Sequence, residues 1–300
     1  MSIKKRILVT GSNRSGSTWV GQVLASHGKV DTIIEPLNLN RIKRYGIIDY
    51  PFWYPKITSQ SVEKETIRKL INYYLHTHYG TFLRDFFRSY EGHHWFPSAK
   101  KRLRRASKPI KMLKDPTALF SIPWLVEEFQ VRPVVLIRHP AAYVLSIKEK
   151  NWWFDFDHFL QQPHFFSGVL APLEEEVRAF KNQEAQRDIV DNASLLWKVF
   201  YTQVRGYQEA FPNWFYITHE DLSLDPITHF KAMCAYLDIE FHQGMKNFIL
   251  ESTQASEKKE FKRDASKNAQ KWKEKLSSQD KERIYKIVAP VSDAFYNRWN

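Results

Sequence analysis

Four short, mostly apolar runs, each ending in polar or small residues, predict a series of buried strands. They occupy residues 7–9, 30–34, 134–137 and 214–218. Runs with little polar alternation are typical of strands covered on both faces in a parallel sheet. Apolar residues at helical spacing follow the first run, at Trp19, Val20, Val23 and Leu24. Strands alternating with helices predict an α/β fold with a central parallel sheet flanked by helices.

The loop after the first run is rich in small residues, with the sequence Gly11-Ser-Asn-Arg-Ser-Gly16-Ser17-Thr18. Gly11 and Gly16 allow positive φ angles and a close approach of the backbone to a ligand. The next helix is predicted to begin near Ser17, so its unpaired N–H groups and positive dipole end face the loop. Such a helix terminus attracts phosphate or sulfate. We interpret the loop as an anion-binding site, with an ordinary turn between core elements as the alternative.

This loop differs from the nucleotide-binding pattern Gly-x4-Gly-Lys-Ser/Thr at one position. Ser17 stands where the lysine that reaches the β- and γ-phosphates belongs, and Arg14 supplies the positive charge instead. The difference argues against an ordinary NTPase and favours another doubly phosphorylated nucleotide. A nucleoside or sugar kinase stays as an alternative, although it would need the missing lysine and an acidic magnesium ligand.

The third apolar run ends at a second candidate anion-binding residue, Arg138. Pro140 suits the first turn of the next helix, and Ser146 lies two turns into it. Ligands of parallel α/β sheets bind at the carboxyl ends of the strands, so Arg138 and the loop after Gly11 are expected to open onto one crevice. An NTPase would place a magnesium-binding aspartate at the end of such a strand. The arginine predicts direct phosphate binding without a metal.

Together these two elements resemble those of the sulfotransferases that use 3′-phosphoadenosine 5′-phosphosulfate (PAPS). In that family a basic-Ser/Thr-Gly-Ser/Thr-Thr/Ser-aromatic loop holds the 5′-phosphosulfate, and an Arg-x7-Ser pair holds the 3′-phosphate. The resemblance implies that PAPS is the sulfate donor and that its ligands are Arg14, Ser15, Gly16, Ser17, Thr18, Trp19, Arg138 and Ser146. It also implies a P-loop-like three-layer fold in one domain over residues 1–300, with helical insertions at about 41–108 and 151–210.

A carboxylate, Glu35, follows the second apolar run and precedes a proline. A carboxylate beside an anion site suits proton removal from an acceptor hydroxyl better than phosphate binding. The Glu-Pro pair resembles that of carbohydrate and bacterial sulfotransferases, which implies that Glu35 is the general base. The alternatives are a structural ion pair or a helix cap.

A further strand is expected to end at Lys114. The cytosolic sulfotransferases have a lysine at the corresponding strand end and a histidine base two residues after it. Pro116 stands at the position of that histidine. The resemblance therefore favours the carbohydrate and bacterial branch. It implies that Lys114 contacts the sulfuryl oxygens, with Asp115 as a weaker candidate for the site and a salt-bridged strand end as the alternative.

Two later segments resemble nucleotide contacts of the same family. His219 begins a His-Glu-Asp-Leu segment in place of the family's Tyr-Glu-Asp-Leu, whose aromatic ring lies near the adenine. Arg263 and Lys267, ahead of Trp272, resemble the basic C-terminal nucleotide clamp. The resemblance implies that all three residues, His219, Arg263 and Lys267, contribute to cofactor binding.

The composition narrows the class of protein further. Forty-five basic and 33 acidic residues give a formal net charge of +12, which favours anionic ligands. We expect no nucleic-acid partner, because no zinc spacing, basic zipper or RNA-recognition motif is present. The single cysteine and the lack of a run of about 20 apolar residues predict a soluble, cytoplasmic protein in a reducing compartment. No metal-ligand spacing occurs.

The identity of the acceptor depends on segments that carry no motif. Residues 151–172 are dense in aromatic side chains and predict either an acceptor-binding lid or a hydrophobic cluster that packs on the core. The basic run 100–105 predicts a solvated surface or a contact for an acidic acceptor. We expect a hydroxyl or amine acceptor, either a carbohydrate or a small molecule of specialised metabolism. A non-catalytic polyanion-binding module is the remaining alternative.

Overall fold

The computed structural model describes residues 5–40, 50–75, 108–183, 188–253 and 269–296 of the chain. Its strands are β1 (Arg6–Gly11), β2 (Val30–Ile34), β3 (Ile110–Lys114), β4 (Arg132–Ile137) and β5 (Phe215–Thr218). They form one sheet in the order β2-β3-β1-β4-β5. Every pairing in this sheet is parallel. The predicted parallel sheet is confirmed.

Helices lie on both faces of the sheet. The α-helices are α1 (Ser17–Ala25), α2 (Lys64–Leu75), α3 (Ile122–Phe129), α4 (Pro140–Lys148), α5 (Asp157–Leu160), α6 (Glu174–Asn182), α7 (Ile189–Ala210), α8 (His219–Leu224), α9 (Pro226–Leu237), α10 (Gln243–Thr253), α11 (Trp272–Lys275) and α12 (Ser278–Ser292). Two 3-10 helices cover Pro116–Ser121 and Gly168–Leu173. The helix predicted near Ser17 and the one predicted at Pro140 begin at those residues.

Alternate side chains of the central strand β1 enter two separate cores, which makes the fold three-layered. Leu8 packs among residues of α4, α7 and α12 on one face. Ile7 and Val9 pack among residues of α1, α9 and α10 on the other. All three side chains are fully buried. This two-sided burial is the physical reason that the strand is apolar at successive positions, and the predicted α/β class is confirmed.

The parallel pairing brings the carboxyl ends of all strands to one edge of the sheet. In sheet order, that edge carries Glu35 after β2, Lys114 in β3, the loop after β1, Arg138 after β4 and His219 after β5. Neighbouring strands lie about 4.8 Å apart, so residues from distant parts of the sequence meet here.

Most of the aromatic segment 151–172 packs into the core. Phe156, Phe159 and Phe165 are buried in the same cluster as Leu8, and the rings of Phe159 and Phe165 stack at 4.3 Å. Trp152 and Trp153 differ, since they are 46% and 47% exposed. The hydrophobic-cluster interpretation therefore holds for the buried phenylalanines and not for these two tryptophans, which face solvent.

Several sequence-based hypotheses fall on residues that the structure does not describe. The basic run 100–105 and the clamp residues Arg263 and Lys267 lie outside the described ranges. Among the helices of the described ranges, none is long and apolar enough to span a membrane.

Candidate active site

The loop between β1 and α1 has a backbone that few residue types adopt. Gly11, Arg14 and Gly16 have φ angles of 148°, 65° and 93°. A Cβ atom on Gly11 would lie 2.5 Å from the carbonyl oxygen of Leu136 in β4, so only glycine permits this contact. Gly16 is the N-cap of α1, and no side chain caps the helix. The first N–H groups of α1 are therefore directed at the loop, as an anion site requires.

Arg14, Arg138 and Ser146 form one connected cluster although they come from three different elements. Arg14 Nε donates to Ser146 Oγ at 2.8 Å. Arg138 Nη1 donates to the carbonyl oxygen of Arg14. The two arginines that were singled out in separate motifs thus lie side by side at the carboxyl edge of the sheet.

Several buried polar atoms around this cluster have no hydrogen-bond partner within the described residues. Within the described residues, Arg138 Nε, Ser15 Oγ and His219 Nδ1 are buried and have no hydrogen-bond partner. Burial of the guanidinium lowers the pKa of Arg138, and the nearby Arg14 lowers it further. Buried polar groups are normally satisfied, so their concentration around the loop fits an anionic ligand that supplies acceptors and negative charge.

No sequence motif indicates the residues that hold the loop in place. The hydroxyl of Tyr201, on α7, lies 2.8 Å from Ser12 Oγ and accepts from the backbone N–H of Arg138 at 3.0 Å. Tyr143 donates to Asn13 Oδ1 at 2.8 Å. Both tyrosines are fully buried. They sit in ordinary helical patterns, so no motif could have distinguished them from other core aromatics.

His219 lies against the backbone of the loop. A Cβ atom on Gly16 would be 2.6 Å from His219 Nδ1, which means that the histidine packs where only glycine leaves room. Burial lowers the pKa of His219 to about 3, and the charge of Arg138 contributes to the shift. The imidazole is therefore neutral at physiological pH. The next residue, Glu220, accepts from Tyr296 at 2.8 Å, which ties this segment to the C-terminal region.

Glu35 and Lys114 form an ion pair at the other end of the sheet edge. Lys114 Nζ lies 2.6 Å from Glu35 Oε1, and Asn38 Nδ2 donates to Glu35 Oε2 at 2.9 Å. Lys114 is buried, whereas a quarter of the Glu35 side chain is exposed. Glu35 has a φ of 47°. The carboxylate is therefore held in one orientation yet open to solvent on one side.

Both carboxylate oxygens of Asp115 accept hydrogen bonds from neighbouring residues. Oδ2 accepts from the backbone N–H of Leu37 at 2.7 Å, and Oδ1 accepts from the N–H and the hydroxyl of Thr117. Burial raises its pKa to about 6, although the bonds from Thr117 and Leu37 oppose the shift. These contacts fix the turn after Glu35. Asp115 therefore stabilises the backbone next to Glu35, and its buried carboxylate does not face solvent.

Two tryptophans lie near the loop, one in α1 and one at the start of segment 151–172. Trp19 Nε1 donates to Ser252 Oγ at 3.0 Å, and its ring packs edge-on against Phe230. Trp152, from the exposed end of the aromatic segment, has its ring centroid 5.8 Å from the guanidinium carbon of Arg14. Trp152 is therefore the residue of segment 151–172 that reaches the anion site. No cluster of potential metal ligands occurs within the described ranges.

The comparison with known families agrees with this geometry. The sequence model of the sulfotransferase family matches residues 6–243. This range includes β1 to β5, the loop after β1, Glu35, Lys114, Arg138, Ser146 and His219. The chain therefore belongs to the sulfotransferase family. No curated protein matches the chain significantly in sequence.

Three solved structures align with the chain at low identity. A sulfotransferase domain from the curacin biosynthetic pathway has 16% identity and a TM-score of 0.49, with 96% of this chain and 98% of that chain covered. The sulfotransferase domain of the Synechococcus PCC 7002 olefin synthase has 14% identity and a TM-score of 0.48, with coverages of 96% and 94%. Mouse sulfotransferase SULT7A1, complexed with PAP, has 11% identity and a TM-score of 0.46, with coverages of 98% and 86%.

Proposed function

We propose that this protein transfers a sulfuryl group from PAPS to a hydroxyl or amine of a small-molecule or carbohydrate acceptor. The observation that carries the proposal is that hydrogen bonds link Arg14 to both Ser146 and Arg138, beside a loop with buried polar atoms that have no partner among the described residues. Two adjacent guanidinium groups suit a ligand with two phosphate groups, and the family assignment favours sulfuryl transfer over the kinase alternative.

The donor would lie across the loop and the ends of β4 and β5. Arg14 and the N–H groups at the start of α1, including those of Ser17 and Thr18, would hold the 5′-phosphate end, and Arg138 with Ser146 would hold the 3′-phosphate. When bound, PAPS supplies the sulfuryl group. Arg14 and the N–H groups would stabilise the negative charge that grows on the leaving phosphate, and fixed donors of this kind contribute about 3–4 kcal/mol each. Trp19 and His219 would flank the adenine.

Glu35 would take the proton from the acceptor. Its ion pair with Lys114 holds the carboxylate at the end of β2, three strands away from β4 and Arg138, with β3 and the loop after β1 between them. The acceptor would therefore approach over β2 and β3, and the donor would lie over β1 and β4. Lys114 would offer its charge to the sulfuryl oxygens. The small exposed face of Glu35 is the place where a hydroxyl could hydrogen-bond to it.

Calorimetric titration tests the donor assignment without knowledge of the acceptor. We expect 3′-phosphoadenosine 5′-phosphate (PAP) to bind with micromolar affinity and ATP or ADP with magnesium to bind far more weakly. Arg138→Ala is expected to weaken PAP binding by about 10- to 100-fold, because a charged hydrogen-bond donor to phosphate is lost.

A matched control is Arg205→Ala, which removes an exposed arginine of α7 that pairs with Glu209. This variant is expected to bind PAP like the wild type. Preference for ATP over PAP, or unchanged PAP affinity in Arg138→Ala, would contradict the proposal.

A further inference from the structure

Arg138 lies at a junction where the sheet no longer holds the backbone. Strand β4 ends at Ile137, and its last pairing with β5 joins Ile137 to Thr218. The residue after Arg138, His139, is already the N-cap of α4. Arg138 therefore stands between two regular elements, and other parts of the chain must satisfy its backbone N–H and C=O groups.

Helix α7 satisfies both of these groups with two aromatic side chains, which we call the aromatic pair. The N–H of Arg138 donates to the hydroxyl of Tyr201 at 3.0 Å, and Trp197 Nε1 donates to the carbonyl oxygen of Arg138 at 2.8 Å. Trp197 and Tyr201 are four residues apart and share one face of α7, with their ring centroids 4.6 Å apart. Both side chains are fully buried.

The aromatic pair also reaches the loop after β1. The hydroxyl of Tyr201 lies 2.8 Å from Ser12 Oγ, and the Ser12 side chain is fully buried. One hydroxyl therefore joins the backbone of Arg138, at the proposed 3′-phosphate site, to the loop that is proposed to hold the 5′-phosphate. Breaking such a buried contact leaves polar groups without a partner, so the link holds both segments firmly.

The polar atoms of the aromatic pair have a task that hydrophobic packing does not explain. A core requires the rings of Trp197 and Tyr201 but not the indole N–H or the hydroxyl. Both polar atoms are spent on Arg138, and the hydroxyl also meets Ser12. The pair therefore fixes where the backbone of Arg138 lies relative to the loop.

We propose that Trp197 and Tyr201 are positioning residues for the donor nucleotide, an assignment that rests on the proposed function. They set the distance between the 3′-phosphate site at Arg138 and the 5′-phosphate site in the loop. A nucleotide with phosphates at both ends must meet both sites at once, so its affinity depends on that distance. A nucleotide with one phosphate meets one site and tolerates a shift of the other. The aromatic pair thus favours nucleotides that carry both phosphates.

Calorimetry with three nucleotides tests this role: PAP, adenosine 5′-monophosphate and adenosine 3′-monophosphate. Tyr201→Phe removes the hydroxyl and keeps the ring. We expect PAP binding to weaken about tenfold, the size of a lost buried hydrogen bond, while the affinity for each monophosphate changes by less than about threefold. An equal loss for all three nucleotides would show that the hydroxyl only supports the fold, and it would refute the positioning role.

Trp197→Phe tests the second arm of the pair, because Trp197 reaches the site through the carbonyl oxygen of Arg138. We expect it to weaken PAP binding about tenfold in the wild-type background and to cause no further loss in the Arg138→Ala background, where the positioned side chain is gone. Strictly additive losses would contradict the proposal. If Trp197→Phe folds poorly, Tyr201→Phe still decides between the outcomes.

The matched control is Tyr207→Phe. It removes the hydroxyl of another buried tyrosine of α7, rotated by roughly 240° from Tyr201 around the helix axis. This variant should bind all three nucleotides like the wild type.

The wild-type protein and Arg138→Ala separate the failure of this assignment from the failure of the proposed function. If the wild type binds PAP and Arg138→Ala weakens that binding, but Tyr201→Phe and Trp197→Phe bind PAP like the wild type, the positioning role is wrong and the proposed function stands. If the wild type does not bind PAP, the proposed donor is wrong and the positioning role falls with it.

Discussion

At the scale of single residues, the candidate site combines a fixed carboxylate with two neighbouring arginines. Glu35 is oriented from two sides, by Lys114 Nζ and by Asn38 Nδ2. The hydrogen bond from Arg14 to Ser146 joins the two halves of the proposed donor site. The contacts of Glu35 with Lys114 and of Arg14 with Ser146 join residues that are far apart in the sequence. The orientation of each of these side chains therefore depends on the fold.

Replacement of Glu35 tests the proposed base. Glu35→Gln keeps the size of the side chain and a hydrogen-bond acceptor for Asn38, but it cannot take a proton. We expect kcat for sulfuryl transfer from PAPS to fall by about 10²- to 10⁴-fold, the range for loss of a general base, while PAP affinity stays the same.

Initial rates and calorimetry on the same protein separate these two effects. The control is Glu209→Gln, an exposed glutamate on α7. A kcat equal to that of the wild type in Glu35→Gln would exclude Glu35 as the base and would direct attention to another group near the acceptor.

Gly16 offers a second test, because its missing side chain makes room for His219. Gly16→Ala places a Cβ atom 2.6 Å from His219 Nδ1 and at a φ of 93°. We expect a loss of about 1–3 kcal/mol of unfolding free energy from the strained backbone and the clash, together with weaker PAP binding.

A double-mutant cycle with His219→Ala isolates the clash. In the His219→Ala background the steric part is gone, so Gly16→Ala should cost less there than in the wild type. Urea denaturation of the four proteins gives the coupling free energy. Strictly additive costs would mean that the two residues do not meet in solution.

At the scale of elements, helix α4 connects the proposed 3′-phosphate site to the C-terminal region. Its N-cap is His139, whose Nδ1 accepts from the N–H of Ala141 at 3.2 Å. The imidazole stacks on Trp272 at 4.4 Å, and Lys148, in the last turn, pairs with Asp280 of α12. The start of α4 thus depends on a histidine that must be unprotonated at Nδ1.

This cap predicts how stability depends on pH. Burial lowers the pKa of His139 to about 3, with Lys273 and Arg138 adding to the shift, while an unfolded histidine titrates near its ordinary value of 6.5. As the pH falls below 6.5, the unfolded chain binds a proton that the folded chain does not. The free energy of unfolding should therefore decrease toward acid, by about 1.4 kcal/mol per pH unit for this group.

His139→Asn should remove that part of the pH dependence, because asparagine caps a helix without titrating in this range. Denaturation curves between pH 7 and about 4.5 give the slopes. The control variant is Gln161→Asn, at an exposed position that carries no titratable group, and it should retain the wild-type slope. A His139→Asn slope equal to that of the wild type would show that His139 is protonated in the folded protein.

At the scale of the whole molecule, the site draws on every strand of the sheet. Residues after or within β1 to β5 contribute to one edge, and helices from both faces support it. A ligand that binds the folded site alone stabilises the whole fold by mass action. PAP at 100 times its dissociation constant should therefore raise the free energy of unfolding by about 2.7 kcal/mol.

Thermal denaturation measures this effect. Arg138→Ala should show a smaller shift at the same PAP concentration, and ATP with magnesium should leave the wild-type transition almost unchanged. A PAP-induced shift of the same size in Arg138→Ala would contradict the proposed 3′-phosphate site.

The general architecture and the two anion motifs were accessible from the sequence because they depend on local pattern. Continuous burial makes β1 and β4 apolar, and glycine is required at Gly11 and Gly16, so these elements carry their signals within a few residues. The start of α4 at Pro140 follows from proline's fixed φ angle. Because each of these constraints acts within a few consecutive residues, the sequence alone predicts the elements that they define.

The sequence by itself thus determined the parallel α/β class, the anion-binding loop and the identity of Arg14, Arg138, Ser146 and Glu35 as candidates. Only the tertiary structure decided that Tyr201 supports the loop and that the carboxylate of Asp115 is occupied by hydrogen bonds from Leu37 and Thr117. Those features arise from contacts between segments distant in sequence. Their residue types are common in any core, so only three-dimensional packing distinguishes them.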